Sequence, residues 1–253
     1  MIVERRSSEL VYPRAIKQEK MRIVLDWLLE FRFSSLDLLS RRLGSNIVNS
    51  NRFFNSLIED GFISVFKNAH TNNERFVMLT PRGASYLEVL GRNIENAETR
   101  YIKLGKYSTI IHDLCVQYAV LKRLDKVVEV VWDRNIKEIN SAERPDALIR
   151  HEKGYWIALE YERWAKERKR IFHSFMAHAK GITEQKYSGV YYVFSDKDAF
   201  SYYSNIFNER EWPRYKRVPK TGKMIALDST FVPDSVENLR KCFIFFHEPE
   251  TGS

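Results

Sequence analysis

Apolar residues recur with helical spacing from the first part of the chain. After an irregular arm, residues 1–14, that ends at Pro13, the positions Ile16, Met21, Ile23, Val24, Trp27, Leu28 and Phe31 fall largely on one stripe and predict a helix from Ala15. Ser34 or Ser35 is a natural N-cap for a second helix, Leu36 to Leu43, which Gly44 stops. A third helix runs from about Ile47 to Asp60, with Phe53, Phe54, Leu57 and Ile58 on its apolar face and Gly61 at its end. Two short β-rich runs follow, Phe62 to Lys67 and Arg75 to Leu79, separated by the polar turn Asn68 to Asn73. They read as a hairpin, and Thr80 caps a last helix that contains Gly83 to Leu90. Residues 15–91 thus form one predicted unit, and 92–106 a polar connector.

The pattern changes after the connector. Tyr107 to about Lys126 is helical, with Ile110, Ile111, Leu114, Cys115, Tyr118, Leu121 and Leu124 on its buried face. Val127 to Trp132 is a β-branched strand. Arg144 to Arg150 and Tyr155 to Glu162, joined by the turn His151-Glu-Lys-Gly154, predict a second hairpin. Arg163 opens a long helix reaching about Gly181. Gly189 to Phe194 is a buried strand and Asp198 to Phe207 a helix. The stretch 209–223 carries six Lys or Arg against two Asp or Glu, and short strands are expected at Met224 to Leu227 and Cys242 to Phe246. Helix, strand, hairpin, helix, strand, helix is the order of an α/β plan around a mixed sheet, here residues 107–253.

Composition narrows the function. The chain has 253 residues, 44% of them apolar, so it can bury a core. Its 41 Lys and Arg exceed 33 Asp and Glu, a formal charge of +8, which makes a polyanion the first partner to consider. Cys115 and Cys242 lie in apolar surroundings far apart, which excludes a disulfide scaffold or a Cys-rich zinc module. No apolar run is long enough to span a bilayer, and the first residues lack the apolar segment of a secretion signal. A soluble cytoplasmic protein without membrane insertion is expected. The six histidines, at 70, 112, 151, 173, 178 and 247, form no close cluster in the sequence, and no glycine frame of a phosphate-binding loop precedes Lys106 or Lys223.

Three helices, a hairpin and a helix resemble a winged helix-turn-helix domain. Asn55-Ser-Leu-Ile-Glu-Asp-Gly-Phe-Ile63 followed by Leu79-Thr-Pro-Arg-Gly83 is similar to a phrase found in many such domains. In that setting Asn49, Asn51, Arg52 and Asn55 on the third helix are suited to base edges in a major groove, and Lys67, His70 and Arg75 around the hairpin tip to phosphates. A solvated helix face and turn, or a protein-binding winged helix, would carry the same residues.

The second hairpin holds the candidate chemistry. Asp146 opens one strand and Glu160 and Glu162 end the other. Alternation puts the two glutamates on one face, and the hairpin brings Asp146 beside them. Three carboxylates at close range repel unless something positive offsets them. A hard divalent cation is the simplest candidate, with Lys166 and Lys169 supplying further charge. A salt-bridge network with Arg144, Arg163 and Lys166 is the other reading.

Pro145-Asp146 and Glu160 resemble the PD…(D/E)xK signature of restriction-endonuclease-like nucleases, with Glu162 standing where that signature has Lys. Arg144-Pro-Asp-Ala-Leu, then Leu159-Glu-Tyr-Glu-Arg163 and Lys166, behind a winged helix, is similar to the MobC-type plasmid mobilisation relaxases and to the broader replication-relaxation family. The resemblance implies Mg2+ or Mn2+ on Asp146, Glu160 and Glu162, with Lys166 as a displaced catalytic lysine. It also implies nicking of double-stranded DNA at an origin of transfer, and mobilisation or coupling proteins as further partners. Arg144, Arg168, Arg170 and the basic stretch 210–223 are then candidates to grip the DNA backbone. Because position 162 departs from the signature, a DNA-binding accessory protein or regulator that keeps the fold without hydrolysis is the alternative.

Overall fold

The computed structural model describes residues 13–67, 75–100, 107–137 and 144–249, and the architecture is mixed α and β in two units, 1–125 and 126–253. The whole of the expected hairpin turn, His70 included, lies outside the described residues, as do residues 1–12 of the expected arm and 101–106 of the connector.

In the first unit the helices are α1 (Pro13–Phe31), α2 (Leu36–Arg42), α3 (Ile47–Glu59), α4 (Pro81–Val89) and α5 (Tyr107–Leu121), and the strands β1 (Phe33–Ser35), β2 (Ile63–Lys67) and β3 (Arg75–Leu79). The caps follow from side-chain chemistry: Ser35, Asn46 and Thr80 each accept a backbone N–H of the helix they begin, from Leu38, Asn49 and Gly83 respectively. The strands form one antiparallel sheet in the order β1-β3-β2. The apolar stripe of α1 is buried from Met21 to Phe31, whereas Ile16 is exposed. A Cβ on Gly83 would collide with the Phe62 carbonyl, so only glycine lets α4 approach the start of β2 this closely.

Helix α5 belongs to this first unit, although its position after the connector assigned it to the second. Its buried Gln117 accepts from Trp27 Nε1 of α1 (2.9 Å) and donates to the Phe33 carbonyl of β1 (2.9 Å), and Ile110 joins Phe33, Phe76 and Met78 in one apolar cluster. The sequence marked a helix here but misplaced its buried face and its end: of the expected stripe only Ile110 is buried, Val116, Gln117, Ala119 and Val120 turn inward instead, and the helix stops at Leu121 rather than near Lys126.

The second unit is built on five strands: β4 (Val127–Trp132), β5 (Ala147–His151), β6 (Trp156–Glu162), β7 (Gly189–Phe194) and, last in the chain, β10 (Phe243–His247). Their spatial order is β10-β7-β6-β5-β4. The β4-β5-β6 part is antiparallel and β6-β7-β10 parallel, so β6 is the strand where the sheet changes sense. Helices α6 (Arg168–Thr183) and α7 (Lys197–Phe207) supply apolar residues that pack with the sheet around Phe175, whose ring meets those of Tyr192, Tyr203, Phe207, Trp212 and Phe243.

Two local expectations change here. The strand expected at Met224 to Leu227 runs on to Phe231 as β9 (Met224–Phe231), and the basic stretch before it holds β8 (Trp212–Arg217), the two pairing antiparallel in a separate ribbon packed on α6. Its charges hid the strand because the ribbon is exposed on most positions while Trp212 and Met224 anchor it. Helix α6 starts at Arg168 and not at Arg163, because the chain between them turns so that Lys166 meets the buried Glu162. Among the described residues no helix is long and apolar enough to cross a membrane.

Candidate functional site

The point where the sheet changes sense carries the polar residues. Ala147 pairs with Leu159, so the next pair outward is Asp146 opposite Glu160. β5 ends there, and the backbone N–H of Tyr161 would lose its ladder partner. The Asp146 side chain takes that place, Oδ2 accepting from Tyr161 N at 2.8 Å, while the Asp146 carbonyl accepts from Asp133 N. Alternation then turns Ala158, Glu160 and Glu162 toward the side of α6 and buries Tyr161 on the other.

The three acids have different surroundings. Asp146 and Glu160 line a cavity of about 520 Å³ within the second unit. Its walls hold six cationic side chains, Arg144, Lys166, Lys169, Arg170, Arg217 and Lys223, against three carboxylates, Asp146, Glu160 and Glu167. That balance suits an anionic ligand carrying more than one charge. Glu162 does not line the cavity. It is 2% exposed and receives Lys166 Nζ at 2.6 Å. Burial pushes its carboxyl up to about 7, Lys166 pulls it back, and the charges of Glu160 and Asp146 add to the rise. Burial alone would lower the Lys166 ammonium, but Glu162, Glu160 and Asp146 outweigh it and raise its pKa.

Glu160 is held from behind. His178 on α6 is buried, its Nε2 3.0 Å from Glu160 Oε1 and its Nδ1 2.9 Å from the Tyr187 hydroxyl. Ionised Glu160 can only accept, so that pairing puts the proton on Nε2. Gly181 lies one turn beyond His178, and a Cβ there would run into the Tyr187 hydroxyl. The signal for His178 was present in the sequence, since it falls seven residues after Ile171 on the apolar stripe of the helix. The histidines show no cluster in the sequence because the partner of His178 is a glutamate 18 residues away.

The other expected contacts divide. Arg170 lines the cavity, and so does Arg144, which also pairs with Asp133 at 3.3 Å. Arg168 does not: it is committed to Glu209 and lies over the Phe172 ring. Of the stretch 210–223, Arg217 and Lys223 reach the cavity from the β8–β9 ribbon. Arg163 stands over the Trp164 ring. In the first unit Asn49, Asn51, Arg52 and Asn55 are all exposed along α3, and Lys67 and Arg75, directly paired across β2 and β3, are exposed as well.

Comparison with family models, with curated proteins and with solved structures gives no match to this chain.

Among the described residues no group of three or more His, Cys, Asp or Glu side chains is placed to hold a metal ion. Of the three expected acids, Asp146 and Glu160 share the cavity, and Glu162 is buried against Lys166 outside its lining. Two carboxylates on adjacent strands, beside cations that can hold a phosphate, are a donor set that fits a hard divalent ion completed by ligand oxygens and water.

Proposed function

We propose that this chain is a metal-dependent DNA endonuclease of the strand-nicking, plasmid-mobilisation kind, with a restriction-endonuclease-like second unit and a winged helix-turn-helix first unit that selects the DNA. One observation carries the reading: Asp146 and Glu160 share a single cavity with six cations at the turn of a mixed sheet. The Pro145-Asp146 and Glu160 resemblance agrees with it.

Asp146 and Glu160 would hold Mg2+ or Mn2+, which would supply Lewis-acid polarisation of a phosphoryl oxygen and a more acidic water. Arg170, Arg217 and Lys223 bind the phosphates on either side of the scissile one. Lys166, kept charged by its acidic neighbours, offsets negative charge that grows on the transferring phosphoryl group. His178 fixes the orientation of Glu160. The exposed Asn and Arg side chains of α3 read base edges of an origin of transfer, and Lys67 and Arg75 hold the duplex backbone. Other mobilisation or coupling proteins would complete the assembly.

A second reading draws support from Glu162. An acid where the nuclease signature has Lys, itself occupying the cavity-lining Lys166, suits a DNA-binding accessory protein that no longer cuts. Relaxation of a supercoiled origin-bearing plasmid separates the two. With Mg2+ or Mn2+ the protein should convert it to open circle, and D146N and E160Q should not. Relaxation that persists in both variants overturns the assigned site, and tight binding with no relaxation under either metal selects the accessory reading.

A further inference from the structure

The chain has five tryptophans, and four of them are at least half-buried. Trp164 is 66% exposed. It sits in the short segment between β6 and α6, directly after the strand end that carries Glu160 and Glu162 and two residues before Lys166. The segment is fixed at both ends: Glu162 is buried in the sheet, and the Lys166 ammonium is paired to it. Arg163 places its guanidinium 5.1 Å from the Trp164 ring centroid, backing the indole with a flat cation. A large aromatic surface is thus held at the solvent boundary two residues from Lys166, which lines a cavity whose charge suits phosphates.

We infer that Trp164 is a stacking platform for one unpaired nucleobase, so that the cavity takes nucleic acid that is single-stranded or locally opened at the bound phosphate. The inference rests on the reading of the cavity as a phosphodiester site and names its substrate form. In a closed duplex each base is already stacked on both faces and cannot reach a side chain of this kind. In an opened strand the base is free to leave its neighbours, and base–aromatic stacking is tolerant of sequence because every base presents a π face. The spacing agrees. Two residues of chain place Trp164 and Lys166 within about 7 Å of each other at Cα, a span comparable to that from phosphate to base within one nucleotide. Stacking on Trp164 and phosphate contact with Lys166 can therefore belong to a single nucleotide.

The experiment uses the full chain with EDTA present, so that cleavage plays no part. A twelve-residue oligothymidylate and a twelve-base-pair duplex are titrated while tryptophan emission and fluorescence anisotropy are followed. Oligothymidylate should quench emission, since the exposed indole is the one it meets, and the duplex should quench it little. W164F should retain most of the affinity for the single strand. W164A should lose the quenching and bind the single strand about 5- to 100-fold more weakly, with duplex affinity unchanged. Equal single-strand affinity in W164A and the parent overturns the inference, as does equal weakening for strand and duplex. The nuclease reading fails separately: a protein that stacks oligothymidylate on Trp164 yet never relaxes plasmid with Mg2+ or Mn2+ keeps this site and loses that activity.

Discussion

His178 Nε2 stands 3.0 Å from Glu160 Oε1, and the opposite ring nitrogen is held by the Tyr187 hydroxyl at 2.9 Å. A buried ring bonded at both nitrogens has one orientation, and it passes that orientation to the acid that lines the cavity. Residues of this kind behind a metal-binding carboxylate change metal affinity or activity by about 10- to 100-fold when removed. Under the proposed nicking activity, H178F should lower turnover by that order and raise the Mn2+ concentration needed, with little change in DNA affinity. H178Q, whose amide can still donate to Glu160, should recover part of the loss. Steady-state nicking across a Mn2+ series checks both, and equal turnover in H178F and the parent would reject the positioning role.

The Glu162 carboxyl is pushed up to about 7 by its burial, from an ordinary value of 4.5. The folded state therefore holds this proton more tightly than the unfolded chain. Stability from this group is complete below pH 4.5 and falls as pH rises to about 7, by at most roughly 3 kcal/mol. E162Q cannot ionise. The difference in unfolding free energy between parent and E162Q should thus drift against the parent between pH 4.5 and 7 and level off above. K166M removes the cation that opposes the rise, and should be more destabilising at pH 8 than at pH 5. Urea melts at several pH values supply the measurement; a flat difference for E162Q would mean that the carboxyl titrates normally.

How much of this was legible beforehand depends on whether a contact is local. The caps at Ser35 and Thr80, the β2–β3 pairing and the opposition of Asp146 to Glu160 are set by residues close in sequence or by one hairpin register, and the pattern displays them. Glu162 shares its face with Glu160, as period-two alternation requires, but alternation says nothing of depth. Only the packed sheet and helices show that one acid lines the cavity while the other lies beneath it. His178 meets Glu160 across 18 residues and Gln117 meets Trp27 across 90, and neither pairing leaves a periodic trace. β8 went unmarked in the basic run 209–223 because Trp212 alone of its six positions is buried, too little to set up an alternation.

Gln117 sets the limit of the first unit. It satisfies the Trp27 indole N–H and the Phe33 carbonyl together, both in buried surroundings. Leaving two such groups without partners costs about 2–4 kcal/mol. Q117L should lower the stability of the first unit by that amount although leucine is well suited to a helix. For the same reason a fragment ending at residue 125 should unfold cooperatively in urea, and one ending at residue 100 should not. A cooperative 13–100 fragment would show that α5 is dispensable.

Arg52 tests whether the first unit reads DNA, as proposed. It lies on the exposed face of α3, with Asn49, Asn51 and Asn55 around it. If it reads a base edge, R52A should weaken binding to the cognate duplex by about 1–3 kcal/mol and relax preference at one base pair. Lys67 and Arg75 face each other across the ladder as like charges, an arrangement that favours an anion between or beyond them. Substituting either with alanine should weaken binding to every sequence alike and reduce the slope of log affinity against log salt by about one. Anisotropy titrations on selected and scrambled duplexes at several salt concentrations distinguish the two behaviours. Uniform loss in R52A would move Arg52 from base reading to backbone contact, and unchanged affinity in all three variants would remove α3 and the hairpin from the DNA interface.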